Sequence, residues 1–153
     1  MEIRRIEKED LPMIAELAKD ETLKTRDDIC FEHSKMYLSD DGEVLCFIVL
    51  RERSLLEFFN GNIPANENID IDDDGWWEKE FIESYGYKHY EIIATYLKEG
   101  ATKDTFLNLL SAVEREKMRP PQIGILWSTQ DLPYNTHFYK FNNVVWLNFP
   151  HID

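Results

Sequence analysis

The chain is poor in cysteine, poor in basic residues and without a long apolar run, and each shortage removes a class of protein. Two cysteines in 153 residues, Cys30 and Cys46, are too few for a disulfide framework or a thiolate zinc site. The longest apolar run, Val44 to Leu50, falls far short of the ~20 residues that a membrane-spanning helix needs. The opening Met1-Glu2-Ile3-Arg4-Arg5 has no apolar core of a signal peptide. A reduced, cytoplasmic protein is the expectation. Lys and Arg number 17 against 30 Asp and Glu, a formal net charge of −13. Nucleic-acid binding depends on Lys and Arg neutralising phosphates, so no nucleic-acid partner is expected, nor an anionic membrane surface. The same charge favours a small cationic or amine partner. His33, His89, His137 and His151 show no ligand spacing with carboxylates or thiols, so no metal is expected.

What is present is enough for a core. Hydrophobic residues make up 43% of the chain, and the length suits one domain over 1–153 with an acidic insert at about 60–86. Ile3 to Glu7 reads as a strand. Asp10-Leu11-Pro12 then opens a helix, with Asp10 as N-cap and Leu11, Ile14, Leu17 and Ala18 on one apolar face. A second helix is predicted from about Thr25 to Ser34. Met36 to Leu38 and Val44 to Leu50 flank the turn-rich Ser39 to Glu43 and predict a hairpin, whose second arm is apolar on both faces and so central. Leu55 to Phe59 extends the sheet, and Trp76 to Tyr85 reads as a short helix. His89 to Tyr96 is the next strand. Gly100 to Met118 is the strongest helix, with Phe106, Leu109, Leu110 and Val113 as its buried stripe. Ile123 to Trp127 is a strand, Pro133 to Phe141 a helix and Val144 to Phe149 a last strand. This alternation predicts a mixed sheet covered by helices.

Three segments resemble the GNAT superfamily of N-acetyltransferases. Ile3 to Ile14 is similar to the family's first strand and the helix that follows it. Asp131 to Val144, with Phe138-Tyr139 at its centre, is similar to the family's late helix and turn; Asn135 stands where a small residue is usual, and Asn143-Val144 for Gly-Phe. Leu97-Lys98-Glu99-Gly100-Ala101-Thr102 aligns with the loop that cradles the cofactor pyrophosphate on backbone N–H groups at a helix N-terminus. Only Gly100 matches there, so the chain is identified as a divergent member with a degenerate loop, in which Lys98 and Lys103 could offset Glu99. The resemblance implies a GNAT-like α/β (α+β) fold, a mixed, mostly antiparallel central sheet flanked by helices. It also implies transfer of an acetyl group from acetyl-CoA to a primary amine of a small molecule or peptide. Under it Glu91 is the base, with Glu57 second, and Tyr139 protonates the departing thiolate. Ile92, Ile93, Lys98, Glu99, Gly100, Ala101, Thr102, Lys103 and Asn135 hold the cofactor. The family ends on two strands and this chain has room for one, which leaves open a homodimer whose partner completes the sheet.

Two readings from other classes stand beside this one. In the first, the chain is a non-catalytic binding module acting through the acidic insert, where Trp76 and Trp77 beside the carboxylates would hold a cationic amine by cation–π contact. In the second, Asp70 to Gly75 reads D-x-D-x-D-G, the first half of an EF-hand loop. Its twelfth position is Phe81, with Glu80 and Glu83 out of register, so an acidic surface loop in which Asp74 caps the Trp76 helix is the expectation.

Overall fold

A computed structural model describes residues 2–54, 57, 88–117, 124–130, 132–134, 138–141 and 144–147. The insert at about 60–86, with Asp70 to Gly75, Trp76 and Trp77, lies outside them, as does Asn135. Along the chain run β1 (Glu2–Arg5), a 3-10 turn (Lys8–Asp10), α1 (Leu11–Ala18), a second 3-10 turn (Glu21–Lys24), β2 (Lys35–Leu38) and β3 (Val44–Glu52). Then come β4 (Lys88–Leu97), α2 (Lys103–Lys117), β5 (Gly124–Ser128), β6 (Phe138–Phe141) and β7 (Val144–Leu147). The strands form one seven-stranded sheet in the order β1-β2-β3-β4-β5-β7-β6. Among the described residues β4 and β5 run parallel and the other neighbouring pairs are antiparallel. The mixed and mostly antiparallel sheet flanked by helices that the resemblance implies is the one observed.

Each face of the sheet carries its own core. On one, Leu11, Ile14 and Ala15 of α1 pack with Met36, Phe47, Val49, Ile93 and Ala94. On the other, Phe106, Leu109, Leu110 and Val113 of α2 pack on Cys46, Ile48, Leu50, Tyr90, Ile92 and Leu126. Burial of each large apolar side chain contributes about 2 kcal/mol, so the spacing of these residues fixes which face each helix covers. Strand β3 is buried on both faces from Cys46 to Leu50, as its unbroken apolar run predicts. Burial pushes the Cys46 thiol up to about 12, so it serves there as a small apolar side chain.

Three expectations are corrected. Asp10 holds the N-cap position of α1 as expected, but its backbone is already helical and its side chain makes no cap bond to the helix. Its carboxylate instead accepts from the Glu7 amide at 2.8 Å and holds Arg4 through two bonds at 2.9 and 3.0 Å. No helix forms from Thr25 to Ser34. Ile29 bridges to Arg51, and the Cys30 amide donates to the Leu50 carbonyl at 2.7 Å, so β3 satisfies the backbone that a helix would have paired internally. Within Pro133 to Phe141, residues Phe138–Phe141 form strand β6 rather than a helix. They pair with β7 from Phe138↔Leu147 to Phe141↔Val144. Both closing strands therefore belong to this chain, and the homodimer argument that rested on a missing strand falls. Leu55, Leu56, Phe58 and Phe59 lie outside the described residues.

Candidate active site

The site begins where β4 and β5 part. The two pair from Lys88↔Gly124 to Glu91↔Trp127 and no further. The next residue of β5, Ser128, pairs with Val145 of β7 and leaves Ile92 without a strand partner on that side among the described residues. Ser128 Oγ reaches the Ile92 carbonyl at 3.3 Å, and Gln130 Nε2 donates to the Ile93 carbonyl at 2.9 Å. Two side chains thus bond to β4 where a strand would have continued the ladder.

A bulge lies at the same place on the other edge of β4. Val49 pairs with Ala94 but Leu50 pairs with Ile92, so Ile93 is the extra residue. The bulge exchanges the faces of β4. Before it, Tyr90 and Ile92 join the α2 core; after it, Ala94 joins the α1 core and Tyr96 stacks on Phe47 at 5.3 Å. In a regular strand successive carbonyls leave by opposite edges. The turn at Ile93 lets the Ile92 carbonyl meet Ser128 at the end of β5 and the Ile93 carbonyl meet Gln130 in the bend after it.

Beyond β4 the chain turns into α2 through residues 98–102. Gly100 has φ +89, a conformation that side chains rarely tolerate, and space around its Cα is open. The Ala101 amide donates to the Lys98 carbonyl at 2.9 Å and closes the turn, and Thr102 stands just before the helix. An α-helix leaves the N–H groups of its first turn without internal partners, so this turn presents donors near its helix start. The two lysines expected to add charge part company. Lys98 Nζ is bonded to Glu43 of the hairpin link, while Lys103 Nζ lies 5.8 Å from the centre of the Tyr134 ring. Glu99 is exposed.

Glu91 sits at the last paired residue before the strands part, buried on the α1 face. Arg51 Nε is bonded to its carboxylate, and Arg53 lies 3.6 Å away. Arg51 also reaches Asp28 at 3.2 Å, and Asp28 takes two bonds from Arg26 at 2.8 and 2.9 Å. The Arg26 guanidinium, with help from Arg51, holds the Asp28 carboxyl well below the usual carboxylate range. Arg53 continues the chain of contacts over the Trp127 ring at 5.9 Å, and the Trp127 indole donates to the Arg53 carbonyl at 2.8 Å. Both arginines approach the same oxygen, Glu91 Oε1, so a substrate ammonium would compete with them for it.

Glu91, Ile92, Ile93 and the turn from Lys98 to Lys103 lie along β4 and its continuation, with Glu91 and Leu97 about 20 Å apart at ~3.3 Å per residue. The structure does not bring Tyr139 with them. Tyr139 lies on edge strand β6, opposite Trp146, with β7 between it and β5. At ~4.8 Å per strand, its backbone stands about 10 Å from β5. The tyrosine next to the α2 N-terminus is Tyr134, half-buried, 6.4 Å from Phe106 and beneath Lys103. Glu57 is exposed, and His137 lies outside the described residues. Sequence reasoning missed Ser128, Gln130 and Tyr134. The available signal was Ser128-Thr129-Gln130, short polar residues directly behind an apolar strand.

No protein-family model matches the chain, and no curated protein sequence does. Two solved structures are similar to it in fold. One is the Naa20 of Chaetomium thermophilum in complex with a bisubstrate analogue, at TM-score 0.47 and 13% identity, over 83% of this chain and 62% of that one. The chain thus spans less than two thirds of the length of that relative. The other is the aminoglycoside N-acetyltransferase AAC(6')-Iy in complex with CoA, at TM-score 0.44 and 17% identity, over 88% of this chain and 82% of that one. At these TM-scores the likeness carries no inference about chemistry.

Proposed function

We propose that the chain is an N-acyltransferase of the GNAT type, moving an acetyl group from acetyl-CoA to a primary amine. The observation that carries this reading is the parting of β4 and β5 beside the Ile93 bulge, in line with the Gly100 turn and the start of α2. A parted strand edge offers backbone groups to an extended chain bearing amides, such as the pantetheine arm. A helix N-terminus favours phosphate. The two features are consecutive on the chain, as a donor with a pyrophosphate at one end and a thioester at the other requires.

In this reading Gly100, Ala101, Thr102 and Lys103 receive the pyrophosphate. Ile92 and Ile93 line the arm, and Asn135 remains a candidate contact from the following segment. Lys98 and Glu99 shape the turn, Lys98 through its bond to Glu43. Glu91 keeps its place as the candidate group that accepts the ammonium proton, in competition with Arg51 and Arg53 for Oε1. Tyr134, beside the α2 N-terminus, replaces Tyr139 as the tyrosine to test near the thiolate. The acidic chain favours a cationic acceptor, and the fold and charge suit a protein of the cytoplasm.

The test is release of free coenzyme A thiol from acetyl-CoA in the presence of a panel of amines. Amine-dependent release supports the reading, and its absence across polyamines, aminoglycosides and peptide N-termini contradicts it. A base role for Glu91 predicts that Glu91→Gln lowers turnover by about 100-fold with the donor still bound. If Glu91 only anchors the arginines, the loss appears in thermal stability instead.

A further inference from the structure

The gap between β4 and β5 is bridged by the chain's own side chains, and the two bridges differ. Ser128 is buried and its Oγ is shared: it donates toward the Ile92 carbonyl and the Gln130 carbonyl at 3.3 and 3.1 Å, and accepts from the Gln130 amide at 2.9 Å. It is fixed by the turn it makes. Gln130 is exposed, and its Nε2 donates to the Ile93 carbonyl at 2.9 Å. That carbonyl belongs to the bulge residue, and Gln130 meets it from the bend that follows β5. An exposed glutamine on two or more rotatable bonds can swing into water at the cost of one hydrogen bond.

We propose that Gln130 is a specificity-determining residue of the gap: its amide stands in for an absent strand and is displaced by an amide N–H of the acyl donor's extended arm, which then bonds the Ile93 carbonyl. This rests on the acyl-CoA reading above. The ligand class is a chain carrying secondary amides in extended form, since only such a chain repays the Gln130 bond with an equivalent one. Ligands with the nucleotide end alone leave Gln130 in place. The site is thus read at the arm independently of the phosphates.

The experiment measures Kd by calorimetry for coenzyme A and for adenosine 3',5'-bisphosphate, which lacks the arm, on the wild-type chain and on Gln130→Ala. A net hydrogen bond is a modest quantity, so coenzyme A should bind Gln130→Ala about three- to tenfold more tightly, with bisphosphate affinity unchanged. Unchanged or weaker coenzyme A binding by Gln130→Ala overturns the proposal, as does an equal change for both ligands. If neither ligand binds the wild-type chain, the acyl-CoA reading itself fails and the proposal with it. Because Gln130 is exposed, the variant should melt with the wild type. A second readout is the Gln130 side-chain amide resonance, which should shift on adding coenzyme A and hold still with the bisphosphate; a reversed pattern overturns the proposal.

Discussion

Lys19 caps α1 in the left-handed conformation, φ 56, with its amide donating to the Glu16 carbonyl at 3.2 Å and the Asp20 amide to Ala15 at 3.0 Å. Such a helix end favours glycine, because a Cβ in this conformation costs about 1 kcal/mol or more. Lys19 is exposed and forms no part of the core. Lys19→Gly should therefore raise stability by about 0.5–1 kcal/mol, read from the shift in denaturant midpoint at unchanged slope. Asp28 ties the loop before β2 together through Arg26 and Arg51. Its pKa is lowered by the Arg26 and Arg51 bonds, so its pairing stabilises the fold above the ordinary carboxylate range and is lost as pH falls through the lowered value. Wild-type stability should fall between about pH 5 and pH 2, and Asp28→Asn should lose less over the same range. A parallel decline of the two would show that the Asp28 pairs add nothing.

At the scale of elements, what could be read from the chain follows from where the apolar residues repeat. The α2 stripe, the two-sided β3 and the β2–β3 hairpin are legible because their periods are long and unbroken. The 25–34 segment misleads because part of its backbone pairs with β3, about twenty residues away in sequence, as where the Cys30 amide donates to the Leu50 carbonyl at 2.7 Å; Ser34 Oγ accepting from the Leu50 amide at 2.8 Å adds a side-chain tie. Strand β6 is only four residues, Phe-Tyr-Lys-Phe, and a run that short fits a helix turn as well as a strand. Its aromatic residues fit a helical motif as well, and the pairing that decides the matter is with Val144–Leu147. The Ile93 bulge has no signature in Tyr-Glu-Ile-Ile-Ala-Thr. Its effect is large, since one extra residue reverses which side chains face α2 from Ala94 onward. Gly100, expected as the first residue of the helix, stands in the turn before it: its φ is positive, no neighbour crowds it, and the helix begins at Lys103.

Over the whole molecule, a chain of net charge −13 places Arg26, Arg51 and Arg53 around Glu91 and Asp28 on one face of the sheet. These arginines pair with carboxylates of the same chain, and the net charge of −13 makes the far field of the protein negative at low salt. The parted strands, the bulge and the Gly100 turn form one continuous track along β4 toward α2. The central claim is that this track binds an acyl-CoA. Titration with acetyl-CoA, wild type beside Gly100→Asp, tests it most directly. Asp tolerates the left-handed conformation better than most residues and has room at this position, so the variant should fold while placing a carboxylate at the phosphate end. The account predicts saturable binding with a roughly micromolar Kd, weakened at least about tenfold by Gly100→Asp. Absence of binding at millimolar acetyl-CoA, or equal affinity in the two proteins, would contradict it.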